Sequence, residues 1–210
     1  PRRFYQSDAQ YNRHSEQILP FVDTVLKESG LTLKDIDAIA FGAGPGAFTG
    51  LRVACGVAQG LGWASEKPLV AVSNLEAAAI KRAFTGRILV ALDARMKECY
   101  VAAYEVTGGC LSKSLSEPVV AKPEDLGALC EKFEINAVSG DAFKRYADRI
   151  DLTDRVQVLE KTPATALEIA FLAQSMAQEG KTVTALNAAP IYVRNRVALT
   201  IDERAQGVKL

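Results

Sequence analysis

Apolar side chains recur every three or four residues between residues 14 and 29, and polar side chains fill most positions between them. This spacing predicts an amphipathic helix over His14–Ser29, which Gly30 is suited to end. Pro20 falls inside the segment, so we expect it either to lie near the first turn or to kink the helix. The apolar positions are Ile18, Leu19, Phe21, Val22, Val25 and Leu26.

Short continuous apolar runs alternate with longer helical patterns from residue 36 to residue 84. Such runs, when turn residues flank them, are typical of buried strands. The pattern predicts a strand over 36–41, a helix over about 47–65, a strand over 69–72 and a helix over 75–84. Strands and helices in alternation favour an α/β lobe.

The pattern changes near Gly86, where strand-like runs follow one another with short turns between them. We expect a fold of two α/β lobes, an N-terminal lobe over 1–88 and a C-terminal lobe over 89–210, which meet near residues 86–92. In the second lobe the pattern predicts strands over 87–95, 98–106, 114–122 and 137–138, and helices over 123–133 and 165–179.

Composition excludes several classes of protein. With 49% hydrophobic residues, the chain of 210 residues has enough apolar side chains for a sizeable core. Its 25 basic and 25 acidic residues balance, which argues against a protein that holds RNA or DNA by itself and leaves only a local basic patch open. No apolar run reaches the roughly 18 residues that a membrane span needs.

Histidine and cysteine are too few or too scattered for most metal sites. His14 is the single histidine, which excludes any site that needs two histidine ligands. The cysteines form no C-x-x-C pair, which argues against a zinc knuckle or a thioredoxin-like centre and favours free thiols in a reducing compartment. They are Cys55, Cys99, Cys110 and Cys130.

Residues 41–63, "FGAGPGAFTGLRVACGVAQGLGW", are rich in glycine and join a predicted strand to a predicted helix. A Walker phosphate loop needs a Gly-Lys-Ser or Gly-Lys-Thr step, which this segment lacks. The G-x-G-x-x-A spacing at residues 42–47 fits a dinucleotide-binding loop better. However, Ser73-Asn74 stands where that loop's ribose-binding acid belongs, and Pro45 removes one loop amide.

The same glycines also fit close packing of a helix. Gly56, Gly60 and Gly62 lie inside the predicted helix, where each costs about 1 kcal/mol relative to alanine. Small residues every four positions let another backbone approach closely. The helix can therefore pack on the protein's own sheet, on the first helix, or on a partner chain, and periodicity does not separate these alternatives. The small residues form the stripe Gly50, Ala54, Ala58 and Gly62, with Gly56 and Gly60 beside it.

The segment "GAGPGAFTGLRVACGVAQGLG" resembles the TsaB (YeaZ) family of bacteria. "HSEQILPFV", "LVAVSNLEA", "LDARMKECYVAAYE" and "PIYVRNRVA" carry the same resemblance, in the family's order. The resemblance implies the two-lobed actin/hexokinase/Hsp70-like (ribonuclease H-like) fold. Family members begin with about three strands that include an Asp-Thr/Ser phosphate motif. This chain begins after them, so we expect an incomplete N-terminal lobe with an unpaired sheet edge.

The resemblance also implies a role in making threonylcarbamoyladenosine, at the adenosine beside the anticodon of tRNAs. Family members are noncatalytic partners of a paralogue, TsaD, which performs the transfer with a metal held by a His-x-x-x-His pair, and a small ATPase, TsaE, joins the cycle. We therefore expect a cytoplasmic accessory subunit that binds no cofactor itself and meets tRNA only through the complex. ATP and metal belong to the partner subunits.

In this family the first two helices form the contact surface, both in homodimers and in pairs with TsaD, and meet as a four-helix bundle. The resemblance carries this role to His14–Ser29 and to the helix over about 47–65. The predicted contacts are Ile18, Leu19, Val22, Val25 and Leu26 on the first helix, and Leu51, Ala54, Val57, Ala58 and Leu61 on the second.

Asp93, Gly140 and Asp141 are candidate residues of the cleft between the lobes, because cleft aspartates handle metal and phosphate in nucleotide-using relatives. An ion pair between Asp93 and Arg95, and ordinary turn chemistry at 139–141, are the structural alternatives. A function as an actin-like ATP-binding protein or ATPase acting on its own stays open, and a dinucleotide-dependent oxidoreductase is the third alternative.

Overall fold

A computed structural model describes residues 3–7 and 14–194, without the side chains of His14 and Glu160. Its helices are α1 (His14–Ser29), α2 (Phe48–Ser65), α3 (Asn74–Ala79), α4 (Leu126–Lys132), α5 (Ala142–Arg145) and α6 (Ala166–Gln178), with 3₁₀ turns at Leu33–Asp35 and Pro123–Asp125. Its strands are β1 (Ile39–Gly44), β2 (Leu69–Ser73), β3 (Gly86–Asp93), β4 (Cys99–Thr107), β5 (Cys110–Ser114), β6 (Val119–Ala121), β7 (Ala137–Ser139) and β8 (Gln157–Glu160).

The strands form two sheets. Strands β1 and β2 pair in parallel, with Ile39 opposite Leu69. The second sheet has the order β5-β4-β3-β7-β8, and β6 pairs with β4. Strands β3 and β4 are antiparallel, whereas β3, β7 and β8 are parallel to one another. The carboxyl ends of β3 and β7 therefore lie side by side, where ligand sites form in parallel sheets.

Packing crosses the predicted boundary at residue 88. Helix α6 lies in the second predicted lobe, yet it packs against both β1 and β2. Val183 also pairs with Leu69 of β2: the backbone N–H of each residue donates to the carbonyl oxygen of the other, with an N to O distance of 2.8 Å in both hydrogen bonds. One apolar core contains Val72 of the first sheet, Val90 of the second and Ile169 of α6. The division into 1–88 and 89–210 stays a prediction.

Helix α1 has the predicted bounds, and Pro20 lies well inside it. The Thr24 hydroxyl donates a hydrogen bond to the Pro20 carbonyl at 2.9 Å. Apolar residues on α1 are half-buried or exposed, so the described chain leaves this helix without a fully buried side chain. None of the described helices is long and apolar enough to cross a membrane.

Three predicted elements were wrong in their extent. The helix predicted over 75–84 ends at Ala79, because the chain turns so that the Phe84 carbonyl accepts a hydrogen bond from Gly109 N–H at 3.0 Å. Of the strand predicted over 114–122, only β6 forms after Pro118, which has no N–H for a ladder, and β5 ends where the predicted strand begins. Strand β1 begins three residues later than predicted and runs on into Gly44.

Candidate interaction surface and interlobe cleft

The glycines at the end of β1 pack against the protein's own chain. A Cβ atom on Gly44 would lie 2.6 Å from the Ile191 carbonyl oxygen, and one on Gly42 would lie 2.5 Å from Asn74 Oδ1. Ile191 N–H donates to the Ala43 carbonyl at 2.8 Å, and Asn74 Nδ2 donates to the Pro45 carbonyl at 3.1 Å. Gly42 and Gly44 therefore allow this loop to pack closely on the protein's own chain, which favours the packing interpretation for these two glycines.

One face of α2 packs on the protein's own sheet. Leu51, Cys55, Ala58 and Gly62 follow at spacings of four and three, lie on one face of the helix, and are buried. Cys55 and Ala58 share a core with Leu69. Leu51 and Ala58 are therefore covered by the fold itself, and we remove them from the predicted contact surface.

The opposite face of α2 is open. Nothing lies within 4 Å of a Cβ atom built on Gly56 or on Gly60, and both glycines are exposed. Trp63 follows on the same face and is 73% exposed. Each glycine costs about 1 kcal/mol relative to alanine in a helix. No contact within the described chain offsets that cost at Gly56 or Gly60.

Half-buried apolar residues lie on α1 and α2 next to this open face. Ala54, Val57 and Leu61 of α2 are half-buried, and α1 contacts α2. On α1, Leu19 is exposed, and its other predicted contacts are half-buried: Ile18, Val22, Val25 and Leu26. We define the helix-pair surface as these eight residues together with Gly56, Gly60 and Trp63.

Trp63 lines a groove of about 650 Å³ at the carboxyl end of α2. Leu186 lines the same groove and is 81% exposed. Sequence reasoning missed both residues. A signal for Trp63 was present, because the only tryptophan of the chain stands seven residues after Gly56 and three after Gly60. Leu186 lies between elements, where no periodicity marks it.

A cavity of about 450 Å³ lies between the loop that leads into α2 and the carboxyl ends of β3 and β7. Asp93 and Asp141, both predicted, line it, together with Asn74, Tyr100 and Arg95. Gly140 does not line the cavity. A Cβ atom there would lie 2.1 Å from the Ala91 carbonyl oxygen at a φ of +117°, so this glycine serves the close approach of two strands.

The Asp93 carboxylate is held by its neighbours. The Tyr146 hydroxyl donates to Oδ1 at 2.6 Å and the Arg95 backbone N–H donates to the same atom at 3.1 Å. Oδ2 lies 3.3 Å from Arg145 Nε and 3.5 Å from Arg95 Nη1. These contacts match the alternative in which Asp93 forms an ion pair with Arg95.

Asp141 supports the same arrangement, because its Oδ1 accepts the Asp93 backbone N–H at 3.0 Å. Burial, together with the hydrogen bond to Asp93, raises the pKa of Tyr146. Among the described residues, no group of three or more His, Cys, Asp or Glu side chains is placed to hold a metal ion.

Three side chains form a cluster at the mouth of the cavity. The Arg52 guanidinium lies 3.8 Å above the centroid of the Phe48 ring. The Phe48 and Tyr192 ring centroids are 6.0 Å apart, and Arg52 Nε–H donates to the Tyr192 hydroxyl at 3.3 Å. We call Phe48, Arg52 and Tyr192 the cleft-mouth cluster. Arg194, by contrast, is paired, because Nη2 donates to Glu98 at 2.5 Å.

Sequence comparison places the chain beside proteins of tRNA modification. A family model described as "TsaD: tRNA N6-adenosine threonylcarbamoyltransferase" matches residues 8–203. The Escherichia coli K12 "tRNA threonylcarbamoyladenosine biosynthesis protein TsaB" is 36% identical over 194 residues, or 88% of this chain and 82% of that protein. The Haemophilus influenzae protein of the same name is 34% identical over 196 residues, or 88% and 81%.

Solved structures give the same result. A Pseudomonas aeruginosa structure described as an uncharacterized protein with similarity to peptidase YEAZ matches with a TM-score of 0.79 and 32% identity, over 89% of this chain and 87% of that one. A structure described as YeaZ from the same species matches with a TM-score of 0.76 and 33% identity, over 86% and 84%.

Proposed function

Because the chain belongs to the TsaB (YeaZ) family, we propose that it is a noncatalytic subunit of the machinery that makes threonylcarbamoyladenosine in tRNA. It acts by binding a catalytic paralogue of the TsaD type, which transfers the threonylcarbamoyl group to the adenosine beside the anticodon. The TsaE-type ATPase joins this pair. The complex works in the cytoplasm, and ATP and metal are bound by the partner subunits.

The open face of α2 carries this proposal. A Cβ atom added to Gly56 or Gly60 would have nothing within 4 Å of it, and Trp63 is 73% exposed on the same face. A glycine lowers the stability of a helix, and close packing of another backbone against it can offset that loss. Exposed tryptophans are frequent anchors of protein interfaces. A partner helix that crosses this face would bury Trp63 and the half-covered apolar side chains of α1.

Composition supports the noncatalytic part of the proposal. The resemblance implies that the paralogue holds its metal with a His-x-x-x-His pair, and this chain has one histidine. The cleft carboxylate Asp93 already accepts two hydrogen bonds and lies within ion-pair distance of two arginines. These contacts leave it occupied by structural partners rather than poised for metal or phosphate.

Light scattering after size exclusion tests the proposal on the chain alone and on its mixture with the TsaD-type paralogue from the same organism. We expect a homodimer alone, and a heteromeric complex in the mixture, because both pairings use the helix-pair surface. A mixture that shows only the separate masses of the two proteins, and no larger species that contains both, would contradict the proposal. Tryptophan fluorescence adds a local readout if the paralogue's emission is subtracted, because Trp63 is the only tryptophan of this chain.

A further inference from the structure

The cleft-mouth cluster presents two aromatic rings and one cation to solvent. Phe48 is 47% exposed and Tyr192 is 49% exposed, although their ring centroids are only 6.0 Å apart. Both residues also line the 450 Å³ cavity. Aromatic side chains carry a large apolar area, and they contribute most to stability when that area is buried. Here the fold gathers the rings at a rim and leaves them half-open.

Arg52 holds the cluster together and keeps its charge available. Its guanidinium stacks on Phe48 at 3.8 Å, and its Nε–H is committed to the Tyr192 hydroxyl. Among the described residues no carboxylate forms an ion pair with Arg52, whereas the cleft arginines Arg95 and Arg194 each have one. The terminal N–H groups of Arg52 are therefore free, within the described chain, to bind an anion.

We propose that the cleft-mouth cluster is a stacking site for an unpaired nucleotide of the RNA substrate. A base stacks on the exposed face of Tyr192 or on the guanidinium plane of Arg52, and a neighbouring phosphate accepts hydrogen bonds from Arg52. This inference rests on the proposed function, because it is the tRNA modification complex that brings RNA to the chain.

The chemistry of the cluster favours RNA over a protein segment. Unpaired bases are bound by stacking on aromatic rings and on arginine planes, with cations on the backbone phosphates. An apolar peptide anchor would need a recess without a cation at its centre, whereas the Arg52 side chain contacts both aromatic residues of this cluster. The chain has no net charge, so one arginine–phosphate contact supplies only part of the affinity for RNA, and the rest comes from the larger complex.

The test uses the complex of this chain with its TsaD-type partner and an unmodified tRNA transcript. Tyr192→Ala should weaken tRNA binding between about fivefold and a hundredfold, the range for loss of one stacked base. Tyr192→Phe keeps the ring and should bind within about twofold of wild type. Arg52→Gln should weaken binding and lower the slope of log affinity against log salt concentration by about 0.7 to 0.9.

Matched controls are available on other surfaces. Phe171 is 43% exposed on α6, and Arg155 is exposed before β8. Phe171→Ala and Arg155→Gln should leave tRNA affinity unchanged. Ultraviolet crosslinking of the transcript, with peptides mapped by mass spectrometry, should place a crosslink on Tyr192 or Phe48, both in the mixture and with an excess of the chain alone.

Each result decides the inference. Unchanged tRNA affinity in both Tyr192→Ala and Arg52→Gln would overturn it, as would crosslinks that map only elsewhere. If Tyr192→Ala weakens binding of the TsaD-type partner itself, the cluster belongs to a protein interface and the inference is wrong. If the two proteins form no complex, the proposed function fails, while the crosslink with the chain alone still reports on the stacking site.

Discussion

Gly62 and Leu69 are packed so closely that the glycine has no room for a side chain. A Cβ atom on Gly62 would lie 2.6 Å from Leu69 Cδ2 and 3.1 Å from the Lys67 carbonyl oxygen. Gly60, two residues earlier in the same helix, has nothing within 4 Å of that position. Gly62 is therefore needed for close packing in the interior, whereas Gly60 is exposed and makes no such contact in the described chain.

This difference predicts opposite effects of the same substitution. Gly62→Ala should lower the free energy of unfolding by about 1–3 kcal/mol, because overpacking outweighs the gain in helix propensity. Gly60→Ala should raise it by up to about 1 kcal/mol. Urea denaturation, at a concentration where the protein is monomeric, measures both. Equal effects of the two variants would contradict the packing described here.

A bulky side chain on the open face should block pairing without unfolding the protein. Gly60→Leu should raise the Kd for the TsaD-type partner at least tenfold, about 1.4 kcal/mol, because a partner backbone can no longer approach the helix. Isothermal titration calorimetry measures this affinity, and urea denaturation should show no loss of stability. Gln174→Leu on an exposed position of α6 is the matched control. Unchanged affinity in Gly60→Leu would remove α2 from the interface.

The sequence predicted helices well where apolar spacing and a terminating residue agreed. Helix α1 has the predicted bounds because its apolar spacing is regular and Gly30 follows it. The predicted fold class is confirmed by solved structures that match at TM-scores of 0.79 and 0.76. Strand β8 was missed, because its four residues contain only two apolar positions and it is defined by pairing with β7, which is distant in sequence.

The site was predicted less completely, for reasons that lie in the residues. Apart from Arg52 and Gln59, the middle of α2 consists of small and apolar residues, so periodicity did not show that Ala58 faces the sheet while Gly56 faces outward. The cleft-mouth cluster was not predicted either, because Arg52 and Tyr192 are 140 residues apart and meet only in the fold. Asp93 was correctly expected to line the cleft, and its contacts match the alternative of an ion pair with Arg95 rather than a metal or phosphate site.

Replacement of Asp93 tests whether this carboxylate is structural. Asp93→Asn should lower the free energy of unfolding by about 1–3 kcal/mol, because Tyr146 loses its charged acceptor and Arg145 its ion pair. Glu134→Gln removes an exposed partner of Arg87 and should change stability by less than about 0.5 kcal/mol. Thermal denaturation compares the two variants.

The same variant separates structure from catalysis. If Asp93 is structural, the reconstituted complex that contains Asp93→Asn should keep its rate of tRNA modification at temperatures where the variant is folded. A loss of rate of more than about a hundredfold in folded protein would instead assign Asp93 a direct part in the chemistry.

Stability should fall steeply in alkali because buried thiols, above all Cys99 and Cys130, must stay neutral. Burial, with nearby Asp93 contributing, raises the pKa of Cys99 from 9.0 to about 12, and burial raises that of Cys130 from 9.0 to about 11. A raised pKa in the folded state means that the unfolded chain loses its proton first. The stabilisation is therefore complete below pH 9 and is lost as the pH rises from about 9 towards 11 to 12.

Cysteine variants test this assignment. Cys99→Ala should flatten the decline of the free energy of unfolding above pH 9, measured by urea denaturation under reducing conditions at steps of pH, even if its stability at pH 7 is lower because of the small cavity. Cys110 is exposed, so Cys110→Ala should follow the wild-type curve. If Cys99→Ala and Cys110→Ala decline in parallel with wild type, deprotonation of the Cys99 thiol is not what destabilises the fold in alkali. The loss would then belong to other buried acids, such as Tyr104, whose pKa burial also raises.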